Sequence, residues 1–159
     1  DSGIWTDMTA HVPWSARHSF GIAAFDEKLW VVAGQDAGGL LADVWCTAAD
    51  GKSWTQASAA AAFGAREGLG MVAFQDHIVA LGGRGGASLL RDVWRSADGA
   101  TWEAVTSSAA WTARRDFGVT VLDGHLWLAG GFDGATTLGD VWSSPNGAVW
   151  TEATAAAPW

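Results

Sequence analysis

Asp92-Val93-Trp94 has a copy on either side of it, Asp43-Val44-Trp45 beginning 49 residues before and Asp140-Val141-Trp142 beginning 48 residues after. The same step separates Trp5, Trp54, Trp102 and Trp150, and it separates Ala16-Arg17, Ala65-Arg66 and Ala113-Arg114. Intervals inside each repeat hold as well: the Arg stands 12 residues before Leu29, Ile78 or Leu126, and Gly34, Gly83 or Gly131 stands 9 before the Asp of the triplet. A period of this length marks an array of one supersecondary unit that cannot bury its apolar faces alone and is stable only when stacked on its neighbours. All 12 Trp occupy recurring positions, which assigns them to packing before any other role.

Outward from the triplet, each repeat parses into four short strands of an antiparallel meander. The first covers 20–25, 69–74 and 117–122. It turns through Asp26-Glu27, Gln75-Asp76 or Asp123-Gly124, the two-residue loop that tight hairpins favour. The second covers 28–33, 77–81 and 125–129 and closes on Gly34, Gly82-Gly83 or Gly130-Gly131. Both are almost continuously apolar, as strands covered on two faces must be. The third carries the triplet. Asp50-Gly51, Asp98-Gly99 or Asn146-Gly147 then turns the chain into the fourth, since these residues tolerate positive φ. Fourth strands begin at Trp54, Trp102 and Trp150, and a further fourth-strand-like segment spans 4–10. The expected organisation is one domain over 1–159, with repeats at 14–57, 63–106 and 111–154.

Composition narrows the function classes. A hydrophobic fraction of 49% supports a folded core, and a formal charge of -8 argues against nucleic acid as a partner, because phosphates demand a basic surface. No apolar run approaches the roughly 18 residues that span a bilayer, so no membrane partner is expected. The single thiol, Cys46, has no Cys partner for a disulfide or a structural zinc site. His11, His18, His77 and His125 are scattered over the repeats, and the Gly-rich stretches lead into strands rather than into the helix a phosphate loop needs. Neither metal nor cofactor is expected.

The chain resembles the kelch-repeat family of β-propellers. The resemblance rests on the Arg opening the first strand, the Gly-Gly after the second, Leu-x-Asp-Val at 41–44, 90–93 and 138–141, and the Trp of the fourth, and it runs from Trp5 to Thr154. It departs where Ala33-Gly34 replaces Gly-Gly and where Trp replaces a frequent Tyr in the third strand. It implies an all-β fold of four-stranded blades around a channel, usually six or seven to a ring, with ligands on the face bearing the second-to-third and fourth-to-first loops. Three blades describe only an arc, so two chains are expected to close a six-bladed ring as a homodimer, the alternative being that the chain is a half-propeller excerpt of a longer kelch protein. In that ring the Trp5 and Trp150 segments compete for one place. A rival resemblance, Ser96-Ala97-Asp98-Gly99-Ala100-Thr101-Trp102 to the Asp-box of sialidases, is one residue short. Sialidases normally use a Tyr nucleophile, and this chain has no Tyr, which equally disfavours the tyrosine-bound copper chemistry of kelch-related galactose oxidase. The expectation is a binding protein and not an enzyme.

Arg17, Arg66 and Arg114 are the first candidates for the binding residues, because kelch adaptors that bind acidic peptides use this Arg, and a guanidinium can grip a carboxylate bidentately. The competing reading has each Arg bonding loop carbonyls of the next blade. On the binding reading, Arg66 and Arg114 are replaceable at little cost in stability. The positions that follow diverge: His18, Glu67 and Arg115, then Ser19, Gly68 and Asp116. Trp14, Phe63 and Trp111, three residues before each Arg, either stack on a sugar or peptide or wedge between blades. Loops 35–40, 84–89 and 132–137 differ most and would set specificity. Asp43, Asp92 and Asp140 read as turn caps. Two ligand classes stay open: an acidic peptide or protein segment, and a glycan held lectin-fashion with one site per blade.

Overall fold

The computed structural model describes Gly3, Asp7, Met8, residues 11–48 and residues 50–158. Trp5 and most of the 4–10 segment lie outside the described residues. Three four-stranded antiparallel sheets follow one another along the chain, each a simple meander. Sheet 1 holds β1 (Gly21–Phe25) and β2 (Lys28–Val32). A small ribbon of β3 (Gln35–Asp36) and β4 (Gly39–Leu40) comes next, and β5 (Val44–Thr47) and β6 (Trp54–Ser58) complete the sheet. Sheet 2 holds β7 (Gly70–Phe74), β8 (His77–Gly85), β9 (Ser88–Ser96) and β10 (Glu103–Thr106). Sheet 3 holds β11 (Gly118–Leu122), β12 (His125–Ala129), β13 (Val141–Ser144) and β14 (Thr151–Thr154). β14 pairs with β13, so the Trp150 strand occupies the fourth place of its own sheet.

The repeat extends to irregularities. Third and fourth strands slip register at the same place in every sheet, between Val44 and Trp45, Ala104 and Thr106, and Val141 and Trp142, a bulge that adds one residue and local twist. The second-to-third connection pairs at matching positions, Gln35 with Leu40, Arg84 with Leu89 and Phe132 with Thr137, but as continuous strands in sheet 2 alone among the described residues. In sheet 2 the strands run past Gly82-Gly83 to pair Gly85 with Ser88, whereas the sequence reading ended the second strand at 81. Gly82 and Gly83 take φ of 58° and 93°, and the register shifts there, so a bulge carries the ladder onward instead of ending it.

The sheets stack face to face, and the core lies between them. Trp30, Val32 and Val44 of sheet 1 pack with Met71, Ile78 and Ala80 of sheet 2. Val79, Leu81 and Val93 on the other face of sheet 2 pack with Leu126 and Leu128 of sheet 3. Sheet 2 is thus covered twice, which is why β8 is nearly all buried, while Ile22 and Leu29 of sheet 1 and Leu122 of sheet 3 stay exposed on the outer faces. The first strands adjoin across the junctions, and the Gly68 N–H donates to the Ser19 carbonyl at 2.8 Å as the Asp116 N–H does to Gly68 at 2.9 Å.

Candidate functional site

The Arg of each repeat turns inward. Arg17 meets Asp43 through both terminal nitrogens, at 2.6 and 2.9 Å; Arg66 meets Asp92 at 2.8 and 2.9 Å; Arg114 meets Asp140 at 2.6 Å twice. One nitrogen of each also donates to the carbonyl of Ala33, Gly82 or Gly130 at the end of the second strand, at 3.0, 3.0 and 2.8 Å. Arg66 further donates to the Phe63 carbonyl. The same carboxylate accepts from Trp45, Trp94 or Trp142 Nε1, at 2.7 Å in every sheet, which explains the Asp-Val-Trp triplet: Asp receives the Arg fork and its own Trp two residues on. The three Arg side chains are 0–2% exposed.

This geometry corrects the reading of Arg17, Arg66 and Arg114 as ligand-gripping residues, and that of Asp43, Asp92 and Asp140 as turn caps. A buried guanidinium whose two terminal nitrogens are both taken by one carboxylate presents no fork to a ligand. The bonds also stay within one sheet, so the Arg side chains do not reach the neighbouring blade; their carbonyls do, Arg66 accepting from Gly34 and Arg114 from Gly83 at 2.9 Å. Burial pushes the Asp43 and Asp140 carboxyls up, but Arg17 or Arg114 and the Trp N–H outweigh it and hold both below the ordinary carboxylate value.

The aromatics wedge. Phe63 and Trp111 are buried, and Trp14 is half-buried. Each stands edge-on to the fourth-strand Trp of its own sheet: Trp14 to Trp54 at 5.4 Å, Phe63 to Trp102 at 4.9 Å and Trp111 to Trp150 at 6.0 Å. Arg17 and Arg66 cover the other side of Trp14 and Phe63 at 5.5 and 5.3 Å. Little ring face remains for a sugar.

The next residue along stays at the loop face in the first and third repeats, whereas Glu67 of the second is buried, 6% exposed. His18 bridges to Gln35, Glu67 to Arg84 and Arg115 to Phe132, one pair per repeat. His18 is exposed, its Nδ1 3.1 Å from Ser19 Oγ. Glu67 is capped by Arg84, whose Nε and Nη2 lie 2.8 and 2.6 Å from Oε1. Arg115 lies over the Phe132 ring at 5.3 Å and donates to Asp116 at 2.6 Å. Arg115 and Asp116 also crowd the backbone of Gly68, where a Cβ would fall 3.0 and 2.7 Å from them, so the second and third repeats meet here. Asp36, on the first repeat's loop, is held below its ordinary value chiefly by Ser15 and by the Gly38 and Gly39 amides. The partners Gln35, Arg84 and Phe132 fall inside the loops expected to set specificity; their pairing with His18, Glu67 and Arg115 went unread, although each follows the repeat's Gly by one residue.

Residues 113–143 match the family described as Kelch motif. Comparison with curated proteins gives no match. The matched segment begins beside Arg114 and ends beyond Asp140, so it contains one complete latch with the second and third strands it ties. The third repeat is therefore a kelch motif, and the first two repeats are built to the same plan, with Arg, Gly, Asp and Trp at the same spacing and in the same latch.

Proposed function

We propose that this chain is a non-catalytic protein-interaction module whose three sheets serve as blades of a kelch-type propeller, and that its loop face engages an acidic or otherwise anionic segment. The observation that carries this reading is the contrast between two adjacent positions. Arg17, Arg66 and Arg114 are identical and locked, whereas His18, Glu67 and Arg115, one residue on, differ in charge and sit with partners that also differ. A scaffold held constant beneath a row that diverges is how rigid elements present variable recognition residues. Arg115 is the anchor. Its guanidinium lies over Phe132, and its side chain keeps about a third of its exposure, 35%. It can exchange the exposed Asp116 for a ligand carboxylate or phosphate. The glycan reading loses its carriers, because Phe63 and Trp111 are buried.

Fluorescence-polarisation titration with an Asp/Glu-rich peptide, beside a panel of neutral saccharides, tests this. The peptide is expected to saturate, binding is expected to weaken with salt, and Arg115→Ala is expected to weaken it at least about tenfold with the urea midpoint unchanged. Saturable saccharide binding, or peptide binding indifferent to Arg115→Ala, would overturn the reading.

A further inference from the structure

The two junctions inside the chain are built from matching positions. Trp30 of sheet 1 presses on the third-to-fourth turn of sheet 2, where a Cβ on Gly99 would fall 2.0 Å from the ring. Notches at Gly21 and Gly70 are filled by the next sheet, Met71 Cβ lying 2.9 Å from the place of the first Cβ and Val119 Cγ1 3.1 Å from that of the second. The Gly34 and Gly83 amides donate across to the Arg66 and Arg114 carbonyls.

Matching positions stand on the outer faces without a mate among the described residues, the Trp of the first junction, which is Val79 in the second, returning as Trp127. On sheet 3, Trp127 occupies the position of Trp30. Its Nε1 donates to the Leu122 carbonyl at 3.2 Å as that of Trp30 does to Phe25 at 3.0 Å. The indole is held by the same bond, yet Trp127 is partly exposed where Trp30 is 3% exposed. Beside it the Gly118 notch is open, the nearest atom to a Cβ there being the Ala129 carbonyl oxygen at 3.8 Å, and Leu122 is 58% exposed. On sheet 1 the opposite halves are exposed. Gly51 has open space where Gly99 has Trp30, and Ile22, at the position of Met71, is 54% exposed. A depression of about 730 Å³ lies here, lined by Leu29, Gly51 and Trp54 and also by Asp7, Met8 and Val12 of the N-terminal segment. Among the described residues, sheet 3 carries a knob with no hole, and sheet 1 a hole with no knob.

We propose that a second copy of this chain covers both faces, sheet 3 of each seated on sheet 1 of the other, with Trp127 over the partner's Gly51 and the partner's Ile22 in the Gly118 notch. Each junction joins two unlike faces, and a two-fold axis between the copies makes the two junctions identical and closes the assembly. Propeller rings hold about four to eight blades, so two copies, making six, close a ring where one copy or three cannot. The inference is independent of what the loop face binds.

Light scattering of the full chain is expected to give twice 16.5 kDa. Ile22→Asp and Leu122→Asp lie at exposed positions, so each is expected to keep the β circular dichroism of the parent and to run as a monomer. Mixing the two variants in equal amounts is the sharper measurement. One junction of the mixed pair is then free of substitutions and the other carries both, so a heterodimer is expected to form where neither variant dimerises alone. A dilution-stable parent monomer, a parent trimer, variants that remain dimers, or a mixture that stays monomeric would each overturn the proposal.

Discussion

Arg66 shows what one latch is worth. Its side chain is 2% exposed, and its charge is neutralised only by Asp92. Removing one partner of a buried ion pair strands the other, at a cost of about 3–5 kcal/mol. Arg66→Ala is therefore expected to lower the urea midpoint in proportion to that loss, against the sequence expectation of little change, and Arg66→Lys to recover only part, since an ammonium lacks the fork. A midpoint unmoved by Arg66→Ala would refute the latch. Acid probes the same groups. The folded Asp43 and Asp140 carboxyls sit below their ordinary value of 3.8, so between the two values the unfolded chain binds more protons, and stability rises with pH across that window. Their contribution is fully present above about pH 5 and is lost as pH falls below 3.8 through the folded values. Asp50, Asp98 and Asp133, lowered mainly by backbone amides of their own turns, add the same sign. Urea denaturation between pH 3 and pH 6 is expected to show this fall, less steep in Asp140→Asn; a stability that rises on acidification would contradict the assignment.

At the scale of the element, the third-to-fourth turn decides how closely two sheets approach. In sheet 2, Ser96 Oγ accepts from the Gly99 amide at 2.8 Å, and Trp102 Nε1 donates to the Gly99 carbonyl at 3.0 Å, fixing the turn beneath Trp30. Gly99 has φ +70° and no room for a side chain. Gly124, in the exposed first turn of sheet 3, has φ +71° and open space. Both Gly→Ala changes meet the same left-handed strain, and only Gly99→Ala also overpacks a junction, a term of about 1–3 kcal/mol. The difference between their urea midpoints is expected to isolate that term, and equal losses would show that Trp30 does not bear on the turn. The turn itself was legible as Asp98-Gly99; the ring above it was not, because Trp30 belongs to another repeat.

Across the whole molecule, stability is a property of junctions. Each sheet is four short strands with two apolar faces, and sheet 2 alone has both covered. Stacking supplies the burial that no repeat achieves by itself, in the manner of a one-dimensional array. The loop-face row rides on the same stacking, since the bonds Ser19–Gly68 and Gly68–Asp116 set neighbouring repeats in register and bring Arg115 against Gly68. A loop face assembled this way is as rigid as the junctions beneath it.

The repeat period, the four-strand meander, the hairpin turns and the packing role of the Trp series were determined by the sequence alone, because strand period and turn chemistry are local and three copies of each signal reinforce one another. The Arg–Asp pairing was also present, as an interval of 26 residues repeated three times between opposite charges. Nothing local says that the interval closes in space, so Arg17, Arg66 and Arg114 read either as ligand-binding cations or as donors to loop carbonyls of the next repeat, and not as partners of the Asp. Only the tertiary structure decided that their side chains are buried against Asp43, Asp92 and Asp140. The reason is physical: whether a charge faces water or a carboxylate depends on which strands the bulges and junctions bring together, and that is fixed by packing between repeats.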